Sequence, residues 1–459
     1  MTKDLTTDEK VQLIQETFEE IIDEEKLREL FKEQEEGKIN QIRAYDGFEP
    51  SGQIHIAQGL MRAIQVNKLT KCGITFIFWV ADYFAWLNNK YGGDLEKIQT
   101  CGKYLIEVWK SCGMDLKNVE FRWTSKDLEN NPTYWENFLQ LSTHASVSRV
   151  LRCGQIMGRE ENTENPASQI IYPLMQANDI HHLKAHIAQL GLDQRKVNML
   201  ARDIFPKMNW EKPVVISHHM LLGLQKIDTE PNLTELKIES FGEYEFNGTK
   251  IILDETGSKY EDGSFLSIVQ SLNKPKKSVK IKVDNSEFEV FEDNWKNCGK
   301  IGIRLKEINE KKGNIIISIK SQKNEIDRKI EMKMSKSKPD TAIFMTDSKE
   351  DVERKFKKAH SVDGVVEDNP ILEYFKYIVF ERFEEVEIQR PEKFGGLYRA
   401  SSYNQLVDDF ENQTIKSIDL KTMCAKYVNE LLEPTRSYFE ENNEAKQLLE
   451  RVQSFAITR

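Results

Sequence analysis

The sequence predicts an α/β protein: a Rossmann-like, doubly wound parallel-sheet domain with a helical C-terminal domain and a β-rich insertion. Three observations carry this reading. Thr75–Ala81 (TFIFWVA) is a continuous apolar run, the pattern of a strand buried on both faces of a parallel sheet. Around it, strand-like and helix-like stretches alternate from Ile42 to Ser217, as in βαβ units. Between Leu224 and Met332, short alternating runs read as strands, whereas helical periodicity dominates from Ser348 onward.

Composition bounds the class. The 459 residues suffice for two or three domains, and 39% apolar with 10% aromatic residues predicts a packed core. No apolar run reaches about 18 residues, so no membrane-spanning helix is expected. The segment MTKDLTTDEK lacks the basic and apolar regions of a secretory signal. Cysteines 72, 101, 112, 153, 298 and 424 form no CxxC pair, which favours reduced thiols in the cytoplasm over disulfides or zinc. A net charge of −10 argues against a chain that grips nucleic acid over its whole surface, but leaves room for a local basic face.

Taken in order, residues 1–40 read as an N-terminal amphipathic helical extension. Thr6 and Glu9 make a capping box, and Val11, Ile14, Phe18, Ile21 and Ile22 recur at helical spacing. Ile42–Tyr45 is a short strand running into Asp46-Gly47-Phe48-Glu49-Pro50-Ser51-Gly52, with a helix expected from about Gln53 to Cys72. Strand, glycine turn and helix N-terminus together form an anion site. Gly47-x-x-x-x-Gly52 is not a P-loop, because Gln53 and Ile54 occupy the Lys and Ser/Thr places. Instead His55-Ile56-Ala57-Gln58 sets an imidazole near the helix start.

Asp94–Cys112, Val119–Thr124 and Asn131–Met157 continue as helix, strand and mostly helix. In YPLMQAND, Tyr172, Gln176 and Asp179 are spaced by four and three, so they share one helical face amid apolar neighbours. His182 and His186 have metal-ligand spacing, but no third ligand accompanies them and no metal site is expected. Gly191-Leu192-Asp193-Gln194-Arg195-Lys196 is a loop entering a helix, and Val214–Ser217 is another buried strand. Further on, Lys333-Met334-Ser335-Lys336-Ser337 suits a loop that lays ammonium groups on phosphate.

AYDGFEPSGQIHIAQG, IYPLMQANDI, GLDQRK and KMSKS, in this order, resemble the tyrosyl-tRNA synthetases of the archaeal and eukaryotic type. HIAQ is similar to the HIGH signature of class I synthetases, with Ala57 for glycine and Gln58 for the second histidine. The resemblance runs from about Arg43 to Leu224 and from Met332 to about Glu433. It implies a tyrosine–tRNA ligase that uses ATP, with Mg2+ carried by the phosphates, and pairs with tRNA(Tyr) as a homodimer in the cytoplasm.

By the same resemblance, His55, Lys333 and Lys336 stabilise the transferring phosphates, and Gly47, Gly191 and Asp193 complete the ATP site. Tyr45 and Asp179 hydrogen-bond the phenol of tyrosine. Tyr172, Gln176 and Gln194 hold its ammonium, with Glu49 in the same wall. Arg195 and Lys196 are candidates for the acceptor end of the tRNA, and Phe394 and Asp419 for anticodon bases. Two alternatives remain at this point: the sister tryptophanyl synthetases, and a synthetase-derived RNA-binding protein without catalysis. Tyr45 with Asp179 favours a phenol over an indole, and the intact site motifs favour an enzyme.

The domains expected are 1–40, 41–225 (catalytic), 226–331 (inserted, β-rich), 332–347 (signature loop) and 348–459 (helical, anticodon-binding). Where the family has a short connector, about 100 residues intervene here. In that insertion Asn247-Gly248, Asp262-Gly263 and Lys312-Gly313 read as turns, and Lys274-Pro275-Lys276-Lys277 as a solvated basic turn.

Overall fold

A computed structural model describes residues 5–154, 166–225, 334 and 339–455, and the strands between 233 and 321. The chain forms two compact units, one of residues 1–226 with 329–459 and one of residues 227–328.

The first unit is organised on a six-stranded sheet of order β1-β6-β5-β2-β3-β4. The strands are β1 (Glu20–Ile22), β2 (Ile42–Phe48), β3 (Ile74–Val80), β4 (Val119–Trp123), β5 (Ile187–Gly191) and β6 (Val214–His218). All neighbours pair in parallel except β1, which runs antiparallel to β6. β3 is buried along its whole length, as its apolar run predicts. Its alternation divides the core: Phe76 and Phe78 join one cluster, Ile77 and Trp79 the other. The first cluster reaches Leu420, Met423 and Val428 of the long C-terminal helix Ser417–Glu441, so the helical part shares a core with one face of the sheet. The second cluster lies under helices α7 (Pro132–Ser142), α8 (Val147–Gly154), α9 (Ser168–His182) and α10 (Arg195–Ile204).

Three local readings are corrected. The capping box of Thr6 and Glu9 forms, but the helix ends at Thr17, and Ile21 and Ile22 lie in β1 instead of a second helical turn. Pairing of Ile21 with Ile216 satisfies the edge of β6, which outweighs the helical spacing. The helix after the glycine turn starts at Ala57, not Gln53. Ile54 to Ile56 are instead held by chain from the far side of the insertion: Ile56 N donates to Ile343 O (2.7 Å) and Met345 N to Ile54 O (3.0 Å). The C-terminal part also contains a two-stranded ribbon, Val386–Gln389 with Leu397–Ala400, within its helices.

The second unit is antiparallel throughout, with sheets of five and four strands. Val290, Ile303 and Ile317 are buried. Lys274-Pro275-Lys276-Lys277 opens a strand, Lys274–Val283, and is not a turn. Among the described residues, Ser267–Ser271 alone pairs with this end, which leaves one side of the strand unpaired at Pro275, where a proline is tolerated. The three expected glycine turns fall outside the described residues. Among the described residues, no helix is long and apolar enough to cross a membrane.

Candidate active site

β2 is where the winding of the sheet reverses: β3 and β4 lie to one side of it, β5 and β6 to the other. Ligands of doubly wound sheets bind at such a switch point, at the carboxyl ends of the strands. A cavity of about 280 Å³ opens there. It is lined by Tyr45, Gly47, Glu49 and His55 from β2 and its turn, and by Tyr172, Gln176 and Asp179 from α9. Gly191, Asp193 and Gln194, at the end of β5, complete the wall. Residues far apart in sequence thus meet in one chamber. Lys333 and Lys336 lie outside the described residues, but Met334 between them lines the same cavity.

One end of the chamber is built for a hydroxyl group. Asp179 is buried, with Trp79 Nε1 donating to its Oδ2 (2.8 Å) and the Tyr134 hydroxyl to its Oδ1 (2.7 Å). Burial pushes its pKa up to about 7, against the pull of these two donors. Tyr45 is equally buried, and its hydroxyl has no hydrogen-bond partner among the described residues. Burial, with Asp179 adding to it, raises its pKa well above the usual tyrosine value, so it stays a neutral donor. An acceptor and a neutral hydroxyl side by side suit a group that both donates and accepts, as a phenol does.

The other wall is anionic and amide-lined. Glu49 accepts from the Tyr172 hydroxyl (2.5 Å) and from Asn88 Nδ2 (2.6 Å), and Gln176 Nε2 donates to Gln194 Oε1 (3.1 Å). A carboxylate flanked by amide oxygens and a hydroxyl provides acceptors for a small ammonium group.

Beyond the turn that follows β2, half-buried His55 pairs with Phe344 in an isolated bridge just before the helix. Behind it, Arg62 of the following helix is buried and ion-paired with Asp46 of β2 (3.0 Å). Arg62 also donates to Gln65 (2.6 Å) and to Gln189 of β5 (2.5 Å), tying that helix to two strands. Burial pushes Asp46 up to about 7 although Arg62 pulls it down and Asp193 adds to the rise. Met334 is anchored as well: its N–H donates to Leu221 O (3.2 Å), and the Tyr374 hydroxyl donates to its Sδ (3.9 Å).

A family model described as "tRNA synthetases class I (W and Y)" matches residues 38–227 and 327–433. The Arabidopsis thaliana protein "Tyrosine--tRNA ligase 1, cytoplasmic" is 34% identical over 454 residues, covering 98% of this chain and 90% of that relative. The chain belongs to the class I tyrosyl-tRNA synthetases. A second Arabidopsis relative, "Tyrosine--tRNA ligase 2, cytoplasmic", is 35% identical over 98% of the chain, which spans only about half (46%) of that relative's length. The Pyrococcus horikoshii tyrosyl-tRNA synthetase, solved with L-tyrosine, aligns with a TM-score of 0.70 at 29% identity, covering 97% of this chain and 100% of that one. The stretch between the two matched segments, 228–326, lies wholly in the second compact unit.

Arg195, Lys196, Phe394 and Asp419, the residues expected to face RNA, do not line the cavity. Arg195 is bound through Nε to both carboxylate oxygens of Glu20 (2.8 and 3.0 Å), and Lys196 follows it half-buried. Phe394 is 61% exposed at the tip between the two ribbon strands. Asp419 is partly committed to structure, accepting from Lys416 N (3.2 Å) at the start of its helix and lying 3.7 Å from Arg390.

Sequence reasoning missed the groups that hold Asp179 and Glu49 in the chamber. Trp79 was legible only as part of an apolar run, and Tyr134 and Asn88 carried no signal at all. Their roles arise from approaches across 100, 45 and 39 residues of chain.

Proposed function

We propose that the chain activates L-tyrosine with ATP to tyrosyl-adenylate and then transfers the tyrosyl group to the 3' end of tRNA(Tyr). The observation that carries this reading is the buried Tyr45–Asp179 pair at the sheet's switch point, within a chain of this family. A carboxylate oxygen of tyrosine attacks the α-phosphorus of ATP. The bond to the bridging oxygen breaks, and pyrophosphate leaves with its electron pair. No protein nucleophile is needed, so the chain acts by positioning and by stabilising charge.

Tyr45 and Asp179 hold the phenol, while Glu49, Tyr172, Gln176 and Gln194 receive the ammonium. These contacts place the carboxylate toward the nucleotide side of the chamber. There Gly47, Gly191 and Asp193 border the ATP, His55 meets its phosphates, and Lys333 and Lys336 bring positive charge. Magnesium would arrive on the ATP phosphates. Its donors there would be phosphate oxygens and water, as suits an ion that keeps most of its hydration.

Arg195 and Lys196 are proposed to meet the acceptor end of the tRNA, and Phe394 and Asp419 its anticodon. The helical part, 348–459, is proposed as the anticodon-binding domain, and 41–225 as the catalytic one. A homodimer in the cytoplasm is the proposed state. Trp135, Leu139, Val147 and Leu151, exposed on α7 and α8, support an apolar subunit contact.

ATP–pyrophosphate exchange with each amino acid in turn tests the activity. Exchange should depend on tyrosine and vanish in Asp179→Ala. Exchange with tryptophan alone, or with no amino acid, would refute the reading.

A further inference from the structure

We propose that Tyr134 and Trp79 are positioning residues for amino-acid selection: together they fix the Asp179 carboxylate in the orientation that accepts a substrate hydroxyl. This inference rests on the function proposed above. It adds two residues that do not follow from the sequence motifs.

The geometry is a two-point clamp. Trp79 Nε1 binds one carboxylate oxygen and the Tyr134 hydroxyl the other, from opposite supports: the end of β3 and helix α7. The terminal torsion of an aspartate is soft, and one donor leaves it free to swing. Donors on both oxygens fix the carboxylate plane and leave each oxygen capacity for a further bond.

Both clamp residues are themselves held. Asn131 caps α7 by accepting from Tyr134 N (3.1 Å), and Tyr134 O accepts from Asn178 Nδ2 (3.1 Å). The Tyr134 ring packs edge-on against His182 (5.3 Å), and the Trp79 ring lies 6.0 Å from the same imidazole. Each is 1% exposed. Trp79 lines the chamber, whereas Tyr134 does not and reaches it through its hydrogen bond to Asp179.

The clamp also bears on charge. An ionised Asp179 accepts a hydroxyl; a protonated one offers less. The titratable groups facing it are Tyr45 from β2, Tyr134 from α7, and Tyr172 and His182 from its own helix. Asp127 adds a like charge from the α6 turn (Thr124–Leu128) and is itself bound by Arg122 and His182. The two donors favour the ionised form against burial. Removing one must move the titration of Asp179 upward, so tyrosine affinity is lost at a higher pH.

Tyr134→Phe removes one hydroxyl and keeps the ring. Tyrosine-dependent exchange is measured between about pH 6 and 9, a range that brackets the Asp179 titration. At neutral pH the KM for tyrosine should rise about tenfold, the size of one hydrogen bond to a charged group, while KM for ATP and kcat at saturation stay within about twofold. The preference for tyrosine over phenylalanine should fall by about the same factor, and the pH below which KM climbs should move up. Trp79→Phe reads the same shifts from the other oxygen, and stands alone if Tyr134→Phe does not fold. Unchanged KM and pH profile in both variants, with the parent active, would overturn the clamp. Equal losses toward tyrosine and ATP would overturn it too, because that is the signature of lost packing. A parent without tyrosine-dependent exchange would sink the proposed function, and the clamp with it.

Discussion

At the scale of single residues, the site is assembled at a cost to stability. Asp179 is a carboxyl group placed where burial favours the neutral form, so its folded-state pKa of about 7 stands above the ordinary carboxylate value. The sign follows: the folded chain holds this proton more tightly than the unfolded chain. Stability is therefore undiminished at acid pH and falls as pH rises from about 4 through 7. Asp179→Asn should then be more stable than the parent at pH 8, by on the order of 2 kcal/mol, with the gap closing by about pH 5. The Tyr134 hydroxyl can turn to accept from the new amide, so the substitution leaves no stranded donor. Denaturant unfolding at the two pH values measures this, and equal stability at pH 8 would contradict it. At this scale much was legible, because Tyr172, Gln176 and Asp179 follow helical spacing and the signature residues sit in compact motifs. Trp79 and Tyr134 were not, since a hydrogen bond across the fold leaves no trace in local spacing.

At the scale of elements, the ribbon tip shows how a short loop presents one aromatic ring. Gly395 and Gly396 adopt φ of +96° and +62°, a region that side-chain-bearing residues avoid. A Cβ at Gly395 would come within 2.9 Å of Arg390 Nη2. Arg390 fixes the loop by donating to Gly396 O (3.3 Å) and Thr414 O (2.9 Å). Phe394 is left projecting, with Lys393 Nζ 4.8 Å from its ring centre, a combination that suits an unstacked base. Phe394→Ala should raise the KM for tRNA in aminoacylation about tenfold, as loss of one base stack does, with pyrophosphate exchange unaltered. An unchanged KM for tRNA would remove Phe394 from the interface. Most helices and the buried strands of the sheet could be read from periodicity. β1 and the late start of the helix at Ala57 could not, because pairing with β6 and with Ile343–Met345 overrides local preference.

At the scale of the whole compact unit that carries the site, His219 ties three parts of the chain together. Its Nδ1 lies 2.6 Å from Glu19, before β1, and its Nε2 3.0 Å from Glu373 in the helical part. Its ring stacks on Tyr377 at 4.2 Å, and Tyr377 in turn donates to Glu19 (3.1 Å). Leu222 N also donates to Glu373 (2.8 Å), next to Leu221, whose carbonyl anchors Met334. Burial alone would push the imidazole pKa down, but hydrogen bonds and charge from Glu19 and Glu373 lift it to about 9. A raised histidine stabilises fully below its unfolded pKa of about 6.5 and loses that contribution as pH rises through 9. Between pH 6.5 and 9.5 the parent should lose about 3 kcal/mol more stability than His219→Gln, read by denaturant unfolding. Parallel pH curves for the two proteins would exclude His219 as the tie.

The sequence by itself determined the class of the fold, the order of its motifs and the family, because those reside in periodicity and in compact local signatures. It also marked the insertion, since extra chain between two motifs is visible as length. Only the tertiary structure decided how Asp179 is clamped, how Arg62 is paired with Asp46, and how Glu19 and Glu373 meet at His219. The physical reason is common to all three. Burial makes each of these charged groups costly unless a partner arrives from another element, and which partner arrives is a property of the packed fold, not of neighbours in the chain.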